Sequence, residues 1–203
     1  MKKLSIGLML FALSIVSAKS YAQEKTSFGV KAGSNFSGFV GNGKGKDLKY
    51  GFQVGATVER DINACNFYSR YGLDLTTKGA EQKIGSTTVT SNPVYLQLPL
   101  MLGHKYKISE NINLLTEMGF YYAVGLFGKT KVKGADIADS DFFGSKKDNG
   151  ARRYDFGLSG AVGVEFGKIV VRCGYDIGIM DFSRSENTEI QNSCVSLTVG
   201  YKF

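Results

Sequence analysis

The sequence contains no tryptophan, a single histidine, two prolines and three cysteines in 203 residues. The cysteines, Cys65, Cys173 and Cys194, form no C-x-x-C pair and no cluster with His104, so the spacing typical of metal sites is absent. We expect no metal and no other cofactor. The odd count excludes complete pairing, and we expect free thiols, with a bridge from Cys65 left open. No run of about 18 apolar residues occurs, so we expect no membrane-spanning helix.

The N-terminus has the features of a secretory signal peptide. A basic start is followed by an apolar stretch over 4–16 and by the small residue Ala22. We expect a signal peptide over 1–22 and one mature domain over 23–203. Removing the signal takes away three lysines and no acid, so the formal net charge falls from +7 to +4. A nucleic-acid partner is therefore not expected.

The rest of the chain alternates between apolar and small or polar residues, the period of a β-strand. At the C-terminus, for example, Leu197, Val199 and Tyr201 alternate with Thr198 and Gly200. A content of 26 Gly, 14 Phe and 11 Tyr also favours β-structure with close backbone packing. The pattern predicts eight strands: 28–37, 50–59, 67–78, 94–106, 112–129, 154–166, 169–180 and 192–203.

The connections between these strands alternate in length. Short turns at 60–66, 107–111 and 167–168 fall at one end, and the long connections fall at the other. Short periplasmic turns and long external loops are typical of outer-membrane barrels. We therefore predict an all-β fold: an eight-stranded antiparallel up-and-down transmembrane β-barrel in the outer membrane, with a packed polar interior and a bulge at Pro99.

A secreted lipocalin-like barrel that binds an apolar ligand would show the same alternation with its apolar face inside. Aromatic residues at both ends of the apolar face favour the membrane orientation, because they resemble the two interfacial girdles of a membrane barrel. They are Phe28, Phe67, Tyr106, Phe166 and Phe203 at the short-turn end, and Phe36, Tyr50, Tyr154 and Phe156 at the other.

The polar face carries charges of both signs. Since the interior of an eight-stranded barrel is filled by its own side chains, a salt-bridged plug is favoured over an open channel. Similar depth on strands two apart predicts that Arg172 and Glu117 meet across the lumen, with Asp176 as a second candidate partner of Arg172. The predicted structural network comprises Lys31, Arg70, Asp74, Glu117, Arg172 and Asp176.

The sequence resembles the PorT-like family of small outer-membrane β-barrel proteins. The resemblance is carried by FGVKAG at 28–33, VYLQLPLMLGHKY at 94–106, YDFGLSGAVGVEF at 154–166 and LTVGYKF at 197–203. It implies an outer-membrane barrel, and the namesake of the family is linked to the type IX secretion machinery.

We interpret the protein as non-enzymatic, with a structural or interaction role and an association with an envelope secretion or assembly complex whose partner is unidentified. The second alternative, an outer-membrane lipid-modifying enzyme, would require an acyl-transfer triad. The single histidine, His104, lies on the apolar face near the short-turn end, beside Tyr106. No nucleophile and base can be paired there, so we predict no catalytic residues.

The predicted partners are outer-membrane lipid, lipopolysaccharide and the barrel-assembly machinery. The last strand places Tyr201 and Phe203 on its apolar face, which indicates a C-terminal assembly signal. The charged connection over 130–152 has two interpretations: a solvated loop, or a surface for a partner or for lipopolysaccharide phosphates.

Overall fold

The computed structural model describes residues 25–41, 48–62, 66–84, 87–133, 140–143, 151–180 and 190–203. The predicted signal peptide and Cys65 lie outside these ranges. Within them, no helix is long and apolar enough to cross a membrane.

The described residues form antiparallel strands joined in one sheet. Eight of them make a continuous wall, and two short ones extend the sheet at the end where the long loops lie. The strands are β1 Thr26–Gly41, β2 Lys49–Ile62, β3 Phe67–Thr77, β4 Glu81–Ile84, β5 Thr87–Ser109, β6 Ile112–Lys133, β7 Ser140–Asp141, β8 Tyr154–Phe166, β9 Ile169–Gly178 and β10 Ile190–Lys202.

The wall closes because the first and last strands pair. Strand β1 lies beside β2, with Phe28 opposite Val58, and on its other side beside β10, with Ala32 opposite Val199. The strands β3, β5, β6, β8 and β9 complete the ring between them. Closure satisfies the edge hydrogen bonds of every wall strand, as a membrane requires. The predicted eight-stranded antiparallel barrel is confirmed.

The two faces of the wall differ sharply in polarity. On β10, Leu197 and Val199 are more than half exposed, whereas the inward Thr198 is buried. On β3, Leu73 is 53% exposed and the adjacent Asp74 only 1%. An apolar outside around a charged inside is the reverse of a soluble ligand-binding barrel, so the lipocalin-like alternative is wrong.

The aromatic residues of the outer face lie where the girdles were expected. Phe28, Phe67, Tyr106 and Phe166 are exposed beside the short turns, and Tyr50 and Tyr154 are exposed near the loops. The two girdles bracket an apolar belt between the interfaces.

The bulge expected at Pro99 is wrong. On the β3 side the pairs lapse at Pro99 and its neighbour and resume at Asp74 opposite Gln97 in the same register, and on the β6 side Pro99 pairs normally with Tyr121. Proline therefore removes one ladder bond without adding a residue. A bulge does occur between β5 and β6. It lies at Leu126, where Gly125 pairs with Tyr95 and Phe127 pairs with Val94.

The described cysteines are both free and lie on opposite faces of a hairpin. Cys173 of β9 is exposed on the outer wall, and Cys194 of β10 is buried on the inner one. They cannot form a disulfide with each other in this arrangement.

Candidate functional site

The lumen is the candidate site, and Glu117 of β6 is its most heavily bonded acid. Arg70 of β3 approaches it with two nitrogens, Nε at 3.0 Å from Oε1 and Nη2 at 2.5 Å from Oε2. Arg172 of β9 donates from Nε to Oε1 at 2.9 Å, and the Tyr68 hydroxyl donates to the same oxygen at 2.7 Å. A single carboxylate thus joins three wall strands that are not neighbours of one another.

A second acid, Glu59 of β2, lies closer to the short turns. Its Oε1 accepts Lys105 at 2.7 Å and Lys202 at 2.8 Å, and its Oε2 lies 3.4 Å from Arg172 Nη2. Lys202 also contacts Glu165. Since Arg172 touches both Glu59 and Glu117, the two acids belong to one connected group. We call it the turn-side network: Glu59, Tyr68, Arg70, Lys105, Glu117, Glu165, Arg172 and Lys202.

The middle of the lumen holds two further acids. Asp74 pairs with Lys31 of β1 at 2.7 Å. Asp176 accepts hydrogen bonds from neutral donors, Gln97 Nε2 at 2.9 Å and the Ser159 hydroxyl at 2.5 Å. The alternative pairing of Arg172 with Asp176 is therefore not what the structure shows. A cavity of about 30 Å³ remains at this level, enough for a water molecule or two.

Nearer the loops, the described residues contribute one ion pair, which lies among aromatic and amide side chains. Lys78 Nζ lies 3.3 Å from Asp155 Oδ2 and 4.0 Å from the centroid of the Tyr121 ring. The same carboxylate oxygen accepts the Tyr121 hydroxyl at 3.1 Å and Asn192 Nδ2 at 2.9 Å. We call Lys78, Tyr121, Asp155 and Asn192 the loop-side cluster.

Phe142 and Phe143 fill the mouth above this cluster. Both are buried, and Phe143 packs edge-on against Tyr95, with ring centroids 5.6 Å apart. The wall makes room with two inward glycines, because a Cβ on Gly125 would lie 2.2 Å from the Phe143 ring and one on Gly128 3.2 Å from Phe142. We call Phe142 and Phe143 the mouth plug.

Glycine has a related role lower in the lumen. An added Cβ on Gly55 would lie 2.1 Å from Asp74 Oδ1, and one on Gly51 2.2 Å from Asn35 Oδ1. Neither oxygen has a conventional hydrogen-bond partner. Each lies so close to a glycine of the adjacent strand that a Cβ atom there would clash with it. The glycines of the polar face thus let acidic and amide side chains pack against the wall.

The structure places all six residues of the predicted structural network on the inward face. It brings Arg70, Glu117 and Arg172 together, and pairs Lys31 with Asp74. Sequence reasoning missed the buried tyrosines Tyr68, Tyr95 and Tyr121, although alternation from their neighbours puts them on the polar face. It also missed the mouth plug, whose only signal is two successive phenylalanines within a charged connection.

His104 lies on the wall at the short-turn end, between the rings of Phe67 at 4.8 Å and Tyr106 at 4.2 Å. Among the described residues, no group of three or more His, Cys, Asp or Glu is arranged to hold a metal ion. The lumen acids are engaged with cations or hydrogen-bond donors. The chemistry that this arrangement supports is mutual charge compensation.

A closed wall that is apolar outside and charged inside defines an integral outer-membrane β-barrel protein. Residues 21–184 match the family model described as the outer membrane protein beta-barrel domain, and the chain belongs to this family. The protein is located in the outer membrane. No curated protein matches the sequence.

Solved structures with similar folds come from several bacteria. A major outer membrane protein from Thermus thermophilus aligns with a TM-score of 0.51 at 15% identity, over 88% of this chain and 100% of that one. Neisserial surface protein A gives 0.49 at 14% identity, over 88% and 99%. The attachment invasion locus protein Ail of Yersinia pestis, solved with the heparin analogue sucrose octasulfate, gives 0.48 at 15%, also over 88% and 99%. At such identities, the first of these shows a common fold and nothing about role.

Proposed function

We propose that the protein is a non-enzymatic outer-membrane barrel with a structural or interaction role and a lumen that does not conduct ions. The observation that supports this proposal is the succession of interacting side chains that the described residues place along the lumen. The turn-side network, the central pairs, the loop-side cluster and the mouth plug succeed one another, and the cavity left at mid-height measures only about 30 Å³. Conduction would require a continuous water path, which these side chains obstruct.

Reconstitution in a planar bilayer tests this part of the proposal. We expect the refolded wild-type protein to give no resolved current steps at either polarity. The matched comparison is the double variant Phe142→Ser/Phe143→Ser, which removes the mouth plug and leaves the wall strands unchanged. Steady single-channel steps from the wild type would contradict a sealed lumen.

The expectation of no enzymatic activity is tested at His104, the single histidine of the chain. Acyl transfer requires a nucleophile within about 3 Å of a base. His104 instead packs between Phe67 and Tyr106 on the outer wall. A hydrolase assay on phospholipid vesicles, with His104→Gln as the paired variant, should give the same background rate for both proteins.

The proposed association with a secretion or assembly complex rests on the resemblance to the PorT-like family. A periplasmic component of such a complex would reach the short-turn end, where Ile108 is 64% exposed beside the turn between β5 and β6. A photo-crosslinking residue at Ile108 should yield a discrete adduct in cells that produce the protein natively. The same residue at Arg152, at the loop end, is the control, and equal adducts from both positions would argue against a periplasmic partner.

Tyr201 and Phe203 are proposed as the signal read by the barrel-assembly machinery. They face outward at the end of β10, and their ring centroids are 5.5 Å apart. Because Phe203 is 70% exposed, packing within the barrel does not explain why an aromatic residue stands at this position. Deleting Phe203 should reduce the amount of membrane-inserted barrel severalfold. Deleting one residue of the 144–150 stretch is the control, and equal yields of heat-modifiable protein would refute the signal.

A further inference from the structure

The bulge at Leu126 gives the outer wall an unusual feature near the loop end. Side chains normally alternate between the faces of a strand, but the extra residue turns two successive ones outward. Leu126 is 41% exposed and Phe127 64%. Beyond the bulge, the outward positions continue with Lys129, which is also exposed. Two apolar side chains are therefore followed at once by a cation on the same surface.

A second cation, Arg153, is fixed beside the bulge. Its Nη1 donates to the carbonyl oxygens of Gly125 at 3.2 Å and Leu126 at 3.0 Å, and its guanidinium lies 5.2 Å from the Phe143 ring centroid. Both hydrogen bonds use Nη1, so Nε and Nη2 are left for another acceptor. Among the described residues, neither Arg153 nor Lys129 forms an ion pair with a carboxylate.

These residues line a groove of about 310 Å³, which also includes Asn92 and Asp141. Two cations against the one carboxylate of Asp141 leave the groove with an excess of positive charge. A fixed guanidinium beside a lysine suits the oxygens of a phosphate group, which guanidinium binds through paired donors.

The position of the groove along the membrane normal agrees with a phosphate group as its ligand. On β6 the outward apolar positions run from Leu114 to Val124, about the 9 to 11 residues with which a tilted strand crosses the hydrocarbon core. Leu126 and Phe127 follow directly, so the groove lies where acyl chains give way to headgroups. By the rule that short turns are periplasmic, this is the outer leaflet.

We propose that this groove binds the phosphate group of an outer-leaflet lipid. Arg153 and Lys129 bind the phosphate, and Leu126 and Phe127 pack against the first part of an acyl chain. The proposal rests on the outer-membrane location and not on a sealed lumen. Its failure would therefore leave the conductance experiment untouched, and current through the lumen would leave lipid binding untouched.

The test measures binding of a fluorescent phosphatidic acid to the refolded full-length mature protein in neutral detergent, by anisotropy. Diacylglycerol with the same chains and label lacks only the phosphate. We expect Lys129→Gln/Arg153→Gln to weaken phosphatidic acid binding by at least about tenfold, because the variant removes both cations that donate hydrogen bonds to the phosphate. Lys107→Gln/Lys168→Gln removes the same charge from exposed lysines at the short turns and should change binding less than about twofold.

Four further measurements make the outcome decisive. Arg153→Lys keeps the charge but loses the paired donors, so it should weaken binding, though less than Arg153→Gln does. Heat-dependent migration on gels verifies that each variant is folded. If Arg153→Gln does not fold, Lys129→Gln alone should weaken binding. Inorganic phosphate should compete poorly, because it lacks the acyl contact. Equal loss in the groove and control variants, equal binding of diacylglycerol, or efficient competition by free phosphate would each overturn the assignment of a lipid phosphate site.

Discussion

The two ends of the lumen fill the same narrow space in different ways. The turn-side network uses three acids and four cations, with Glu117 and Glu59 each bonded by more than one cation. The loop-side cluster has one ion pair, Lys78 with Asp155, and completes the bonding of the acid with neutral donors. The rings of Tyr121 and of the mouth plug belong to one buried apolar cluster at this end.

The difference follows from how the chain is connected at each end. Every member of the turn-side network lies on a wall strand, so at this end long cationic side chains from the wall reach across the lumen and meet acids there. At the other end a long connection returns to the barrel and brings two phenylalanines with it. Apolar volume then replaces charge. Breaking a buried ion pair costs more free energy of unfolding than replacing the pair by packed apolar groups. Substitutions of charged residues should therefore destabilise the barrel more in the turn-side network than in the loop-side cluster.

The largest effect is expected for Glu117→Gln. The variant leaves the Arg70 guanidinium without its carboxylate in a buried site and leaves Arg172 with the longer contact to Glu59, which should lower the free energy of unfolding by about 3 to 5 kcal/mol. Urea titration of the refolded barrel in detergent micelles measures it. Glu110→Gln, at the exposed turn between β5 and β6, makes the same chemical change in water and should cost less than about 0.5 kcal/mol. Similar values for the two variants would remove the distinction between buried and exposed acids.

A smaller effect is expected for Lys78→Met in the loop-side cluster. Asp155 loses its cation but keeps the Tyr121 and Asn192 donors, so the cost should be about 2 to 3 kcal/mol. Adding Asp155→Asn to Lys78→Met should restore part of the stability, and the exposed Lys131→Met serves as the control. If Lys78→Met costs more than Glu117→Gln in the same titration, the loop-side cluster is not the less charge-dependent half.

The glycines of the polar face allow a finer test, which compares the middle of the lumen with the outer face. Gly55→Ala would drive a methyl group into Asp74 and disturb its pair with Lys31, at an expected cost of about 1 to 2 kcal/mol. Gly160→Ala is the matched control on the outer face, where the nearest atom to an added Cβ is 3.8 Å away. It should leave the unfolding midpoint in urea within error or raise it slightly. A larger loss from Gly160→Ala would contradict the packing described for Gly55.

The barrel could be predicted from sequence because its physical signal is local. Alternation decides which residues face inward, and turn lengths decide which end is which, so the inward positions of Lys31, Arg70 and Asp176 follow from parity alone. The Glu117 and Arg172 contact followed from depth and from the barrel diameter. The second partner of Arg172 could not be predicted, because Arg172 lies within reach of several acids. In the structure it contacts Glu59 as well as Glu117.

The features that were missed depend on irregular backbone. The bulge at Leu126 shifts the parity of β6 by one residue, and the sequence pattern did not predict it. It predicted a bulge at Pro99 instead, where the ladder bond is lost without a shift of register. The mouth plug depends on where a long connection returns to the wall. Both matter for the candidate lipid groove, since Leu126 and Phe143 hold Arg153 in place.

The smallest expected effect is the coupling between Arg172 and Glu117, measured by a double-mutant cycle with Arg172→Met and Glu117→Gln. Arg70 and Tyr68 remain bonded to residue 117 when Arg172 is removed, and Glu59 remains near Arg172 when Glu117 is changed, so neither single variant isolates one contact. The double variant should nevertheless be more stable than the sum of the single effects predicts, by about 1 kcal/mol, because removing both partners leaves fewer uncompensated charges than removing either. Unfolding in urea of all four proteins, refolded under one condition, gives the value. A coupling below about 0.5 kcal/mol would mean that the 2.9 Å contact between the two side chains contributes nothing of its own, and that the turn-side network is held by Arg70 instead.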